Sequence, residues 1–201
     1  QPGNHASPSV SYDVLARIIE IVSGQSYLAF LQKELLDPLG MTDTHFKVPL
    51  EKLTRVAAMH EPVVWGYNVP GTPKMYRQSV ISKRTSKANE LVRGSTGLKS
   101  SASDYLKFLD FLLGEQSSSG VSMTTSNRLN LLSKIKSLKE TNPSAVAQSS
   151  FVLRQGAYNT AFWLDLPSRI SGVFMTQMNP AQFHVGEALL DLTANNFKKD
   201  S

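Results

Sequence analysis

Hydrophobic positions in the first fifty residues form two helical stripes with a break between them. Val14, Leu15, Ile18, Ile19 and Val22 follow the three-and-four spacing of one helix face. The pattern predicts a helix that begins near Ser9 to Ser11 and ends at Gly24, because glycine tolerates the left-handed backbone of a C-terminal cap. Ser26 is placed to cap a second helix, with Tyr27, Phe30, Leu31, Leu35 and Leu36 as its buried stripe. Pro38 lacks an amide hydrogen and stops that helix. Gln1 to Ser9, rich in Pro, Gly and Ser, reads as loop.

The pattern loosens over residues 49–92. Val63, Val64, Trp65, Tyr67 and Tyr76 suggest short extended pieces, broken by Pro62, Pro70, Gly71 and Pro73. Arg93 to Ser101 is a loop with Gly94 and Gly97, and Ser101-Ala-Ser-Asp104 has the form of a capping box. A helix follows through Tyr105, Leu106, Phe108, Leu109, Leu112 and Leu113. Gln116 to Gly120 is a serine-rich turn, Asn127 to Lys136 another helix, and Thr141 to Ser150 loop. Phe151–Leu153, Thr160–Leu164 and Gly172–Gln177 read as strands. Leu166 to Arg169 turns the last two into an antiparallel pair, and Val173, Phe174 and Met175 have the apolar density of a central strand. Val185 to Phe197 predicts a closing amphipathic helix.

Composition narrows the chemistry. The 201 residues are 41% hydrophobic and 18% charged, which predicts a packed core and one domain or slightly more. The net charge of +5 comes from scattered Lys and Arg, so a nucleic-acid partner is not expected. There is no cysteine, which excludes disulfides, thiolate metal sites and a cysteine nucleophile. No apolar run approaches the roughly 20 residues of a membrane helix. Gln1-Pro-Gly-Asn-His has neither the basic start nor the apolar stretch of a signal peptide, and reads as the interior of a longer protein. His5, His45, His60 and His184 form no H-x-x-x-H pattern, and Gly94-Ser-Thr-Gly97 lacks the lysine of a phosphate loop. Neither a metal nor a cofactor is expected.

Three blocks carry a resemblance. The first runs from Pro2-Gly3 to Val48 and contains Pro38-Leu-Gly-Met41, Thr44 and Phe46. The second is Gly94-Ser-Thr-Gly97-Leu98 with Ser101-Ala-Ser-Asp-Tyr105 and Phe108. The third is Gly156, Thr160, Phe162-Trp163, Asp165 and Val173 to Gln177. In this order they resemble the serine β-lactamase and penicillin-binding-protein family, its class C and esterase-like branch above all. The resemblance implies an α/β fold, β-lactamase/transpeptidase-like, with helices packed on an antiparallel sheet and the N-terminal part of the fold missing. It divides the chain into a helical block (1–48), an irregular excursion (49–92), a Gly-rich loop with helices (93–150) and C-terminal strands with a closing helix (151–201). Leu39, Met41 and Phe46 are expected in the core, with Phe162 and Trp163 on opposite faces of a strand.

Enzymes of this family use three elements: a serine nucleophile in S-x-x-K, a second proton-handling group such as Y-S-x, and a strand motif ending in glycine. The resemblance places the first element upstream of Gln1. Ser133-Lys-Ile-Lys136 matches S-x-x-K literally, but falls after the Gly-rich block and reads as ordinary helix spacing. Aligning Pro2-Gly3 with the second element puts Pro8 where the tyrosine belongs and keeps Ser9. A prolyl ring has no proton to relay. A register shifted by one puts Ser7 there, a poor replacement, and His5 is a possible local base. The third element aligns with Arg154-Gln155-Gly156, where only Gly156 is kept, leaving a backbone that a ligand can approach closely. Arg154 is a candidate for attracting a carboxylate.

The resemblance thus implies a β-lactamase-related domain without activity, structural or scaffolding in role. The alternative is an active serine hydrolase (esterase, β-lactamase or peptidase) with its nucleophile upstream. The expected partner is the upstream part of the same protein, or another chain that completes the sheet, possibly within a multi-subunit complex. Without it, an open edge and an uncovered apolar face are expected. Relatives occur in mitochondria and in secreted or periplasmic settings.

Overall fold

The computed structural model describes residues 8–62, 76–78, 92–117, 119–130, 133, 151–156, 158–165 and 168–178. Helix α1 spans Pro8–Ser23. Proline fits the first turn of a helix, where its missing amide hydrogen would have had no partner in any case. Gly24, at φ +67°, ends α1 as expected, and its amide reaches the carbonyl of Glu20. Helix α2, Tyr27–Leu31, is capped by Ser26, whose hydroxyl accepts the amide of Ala29. The chain turns by 81° between α1 and α2. The Glu20 carboxylate holds this corner by accepting the amide of Tyr27 at 2.9 Å.

Helix α2 widens into a π turn, Gln32–Leu36, in which Asp37 donates to the carbonyl of Gln32. Pro38 has no amide to continue the ladder and its ring crowds the preceding turn, so the backbone opens before it stops. Gly40, at φ +65°, turns the chain toward Met41. A short 3-10 helix, Leu50–Arg55, and an antiparallel pair of strands, β1 (His60–Pro62) and β2 (Tyr76–Gln78), follow. Tyr76 is therefore extended as expected; Val63, Val64, Trp65 and Tyr67 lie outside the described residues.

Helix α3, Ala102–Leu113, forms the centre of the packing. One side contributes Leu109, Leu112 and Leu113 to a cluster with Leu164, flanked by Tyr105, Phe162 and Val173. On another side Phe108 and Phe111 meet Leu36, Leu39 and Met41. Leu39, Met41 and Phe46 are buried, as the sequence predicts. Gly114, left-handed at φ +88°, ends α3. Residues 125–130 form helix α4. Its Arg128 donates to the carbonyl of Leu113 at 2.6 Å, satisfying a helix end that has no amide partner of its own.

Strands β3 (Phe151–Gly156), β4 (Thr160–Asp165) and β5 (Ile170–Phe174) form an antiparallel sheet in the order β3-β4-β5. Val173 and Phe174, expected in a central strand, lie in β5. Among the described residues β4 is central, β5 borders it, and Met175 lies beyond the strand end. The apolar density of β5 comes from α3 packing on it and from Trp163 beside it. Phe162 and Leu164 face α3, while Ala161 and Trp163 pack with Phe174 on the other face. The predicted loop over Thr141 to Ser150 and closing helix over Val185 to Phe197 lie outside the described residues.

Candidate active site

Pro8 and Ser9 stand in the first turn of α1, with Pro8 as its first residue. The position expected to hold a tyrosine hydroxyl is thus a helix-starting proline. His5 and Ser7 lie outside the described residues.

The Gly-rich loop docks on α1 just after this turn. Gly94 lies so close that a Cβ there would come within 2.0 Å of the carbonyl oxygen of Tyr12. The adjacent carboxylate, Asp13, accepts the amide of Ser95 at 3.0 Å and its hydroxyl at 2.9 Å, and pairs with Arg93 at 3.2 Å. These hydroxyl and amide donors, joined by the Arg93 charge, hold the Asp13 carboxyl below its ordinary range against a smaller opposing effect of burial. On the far side of the loop, Lys99 and His45 exchange backbone hydrogen bonds, 2.8 and 2.9 Å. The Lys99 ammonium faces the carbonyls of Phe46 and Gly97 at 3.3 and 3.5 Å, and partial burial lowers its pKa.

Behind the loop is a network that the sequence did not reveal. Asp104 was expected to satisfy the first turn of its own helix. The Ser101 hydroxyl does cap it, accepting the amide of Asp104 at 3.2 Å. The Asp104 carboxylate points away instead, to the amide of Asp43 at 2.6 Å and the hydroxyl of Thr44 at 3.0 Å. Lys107 binds the same carboxylate at 3.0 Å, and Thr44 shares a 2.8 Å hydrogen bond with Ser100. Asp104 and Thr44 are 2% and 1% exposed. Asp43 is held in turn by both arms of Arg55, at 3.0 and 2.7 Å, and by Lys52 at 2.8 Å. The guanidinium hydrogen bonds of Arg55, followed by those of Lys52, push the Asp43 carboxyl far below its usual range. The pairing of Thr44 three residues after Met41 with an aspartate in S-A-S-D was the only trace of this network in the sequence.

Gly156 ends β3, opposite Thr160. A Cβ at Gly156 would meet the Thr160 hydroxyl at 2.2 Å, so the glycine makes room for a neighbouring side chain. Buried Asn159 closes the turn at φ +59°, its amide reaching the carbonyl of Gly156 at 3.2 Å. The Thr176 hydroxyl fastens the turn from β5's far end, facing the carbonyls of Tyr158 and Asn159 at 3.0 and 2.8 Å. Pro8 and Ser9 lie at the start of α1 and Gly156 at the end of β3. Ser133 is helical and exposed, and its hydroxyl donates to the carbonyl of Asn130 at 2.7 Å. Lys136 lies outside the described residues. Among the described residues no group of three or more His, Asp or Glu is placed to hold a metal ion.

The β-lactamase family model matches residues 1–195. The chain belongs to the β-lactamase family. Protein Rv1367c of Mycobacterium tuberculosis (strain ATCC 25618 / H37Rv) is 29% identical over 135 residues, which are 66% of this chain and 31% of that protein. The fold is similar to that of simvastatin synthase LovD from Aspergillus terreus, with 15% identity and a TM-score of 0.62 over 93% of this chain and 55% of the other. EstCE1, described as a hydrolase with promiscuous acyltransferase activity, gives 14% identity and a TM-score of 0.62, over 85% of this chain and 50% of that one. The class C β-lactamase from Rhodobacter sphaeroides gives 18% and 0.59, over 97% and 61%. This β-lactamase-family chain thus spans a third of its curated relative and little more than half of these structures.

Proposed function

We propose that this chain is a β-lactamase-related domain that is catalytically inactive and has a structural or scaffolding role within a larger assembly. The observation that carries the reading is Pro8. Pro8 begins α1, and in the ungapped register it stands where the family motif has a tyrosine. A pyrrolidine ring cannot take or give a proton, and loss of such a relay removes on the order of 10³-fold in rate. The framework around this position is intact: Asp13 holds the Gly-rich loop, and Asp104 joins the start of α3 to the turn after α2. Architecture has been kept where the proton relay has not.

One observation favours a second reading. Gly94 keeps a close approach to the Tyr12 backbone and Gly156 makes room for the Thr160 hydroxyl, a framework that an active serine hydrolase with an upstream S-x-x-K would require. A fluorophosphonate probe and a fluorescent penicillin, applied to the folded full-length protein, separate the two. The scaffold reading expects no covalent labelling of any serine. Labelling of an S-x-x-K serine overturns it in favour of the hydrolase.

A further inference from the structure

A cavity of about 430 Å³ lies between α2 and the segment that follows Gly40. Leu28, Ala29 and Gln32 form one wall, and His45, Phe46 and Lys47 the other. Phe46 is buried and packs edge-on against Tyr27, with ring centres 6.2 Å apart, so its wall is anchored in the core. The volume falls in the range that takes a small organic ligand. Leu28, Ala29 and Phe46 make much of the lining apolar.

The polar groups around the cavity select the charge of an occupant. The Nε2 of His45 is buried and has no hydrogen-bond partner. A buried polar atom of this kind is stabilised by any group that completes its hydrogen bonding. Lys47 is the charged residue of the lining, and among the described residues no Asp or Glu lines the cavity. Lys99 stands directly opposite His45 in a short antiparallel ladder, so the ammonium and the imidazole share one face of it. The Lys99 ammonium rests on the carbonyls of Phe46 and Gly97 at 3.3 and 3.5 Å, long for a charged donor. No carboxylate among the described residues pairs with it. Two acids of the neighbouring turn are committed elsewhere: Asp37 accepts the side-chain amide of Gln32, and Glu34 pairs with Lys33.

We propose that this cavity binds a small amphipathic carboxylate, with its charged end on the His45 and Lys99 side and its apolar body along Leu28, Ala29 and Phe46. A carboxylate accepts hydrogen bonds from ring nitrogen and ammonium alike and neutralises positive charge, which an alcohol or an amine cannot do together. On binding, the imidazole turns its Nε2 onto the carboxylate. Binding here needs no serine nucleophile, so this inference goes beyond the inactive reading and stands apart from it.

The test titrates octanoate into the full-length protein and follows the His45 ring signals by proton–carbon NMR. Octanol and octylammonium serve as chain-matched comparisons. Octanoate is expected to shift the His45 signals saturably with a Kd of about 1 mM or below, and the two comparisons to bind about tenfold more weakly or worse. His45→Phe keeps a flat ring without its nitrogens and is expected to weaken octanoate binding about tenfold by calorimetry. Ala29→Trp fills the cavity from its exposed rim and is expected to abolish binding, with the circular dichroism spectrum unchanged. Absence of a saturable shift up to about 10 mM octanoate overturns the inference. Equal binding of octanol or octylammonium overturns it by removing the carboxylate. Octanoate binding that survives Ala29→Trp lies elsewhere and overturns it as well.

Discussion

The carboxylate of Asp104 accepts the backbone amide of Asp43 at 2.6 Å across 61 residues of chain. Through this contact the start of α3 is locked to the turn that follows α2. The Asp104 side of this bond is buried, and Asp43 is partly exposed.

Replacing Asp104 with alanine is expected to destabilise the chain by about 3 kcal/mol, because it strands the Asp43 amide and removes one of the two partners of the Thr44 hydroxyl and of Lys107. Ser101→Ala removes only a helix cap and is expected to lose about 1 kcal/mol. Urea denaturation followed by circular dichroism measures both. Equal losses would mean that Asp104 works only within its own helix.

Asp13→Ala is expected to free the Gly-rich loop without unfolding α3, since its bonds go to Ser95 and Arg93 alone. Hydrogen exchange should accelerate at the Ser95 amide while Leu109 and Leu112 amides keep their protection. Unchanged exchange at Ser95 would show that the approach of Gly94 to Tyr12 holds the loop by itself.

Acid sensitivity follows from Asp43 and Asp13, whose carboxyls are both held below the 3.8 of a free aspartate. A lowered folded-state pKa gives stability that is complete above the unfolded value and is lost as pH falls through the folded one. Stability is therefore expected to hold from neutral pH down to about 5, then decline progressively below 4. Asp43→Asn should flatten that decline, most visibly at low salt, because Arg55 and Lys52 hold Asp43 near the surface. A steeper acid transition in this variant would contradict the assignment.

Gly172→Ala is expected to destabilise the sheet by about 1–3 kcal/mol, because the new methyl would lie 1.9 Å from the indole of Trp163. Trp163→Leu in the same chain should recover part of that loss. A double variant no better than the sum of the two single ones would show that the indole is not the obstacle.

Local chemistry was legible from the sequence. Gly24, Ser26, Ser101 and Pro38 act within a few residues of their own position, so a cap or a stop can be read from the order of residues alone. The burial of Leu36 was legible from its helical stripe, and that of Leu39 and Met41 from the motif that carries the resemblance. The motifs carried the fold and placed Pro8, Ser9 and Gly156 in a family frame. Only the tertiary structure decided the rest. Asp104 read as half of a capping box, yet its carboxylate serves a distant amide, since a buried charge goes to the strongest donors within reach, wherever in the chain they lie. Strand order in the sheet depends on pairing partners that no local pattern encodes. The stripe of α1 was visible as a periodic array, and its sequence cannot tell a buried face from an exposed one. Periodicity fixes which residues share a face; only the packing of the other elements decides whether that face is covered.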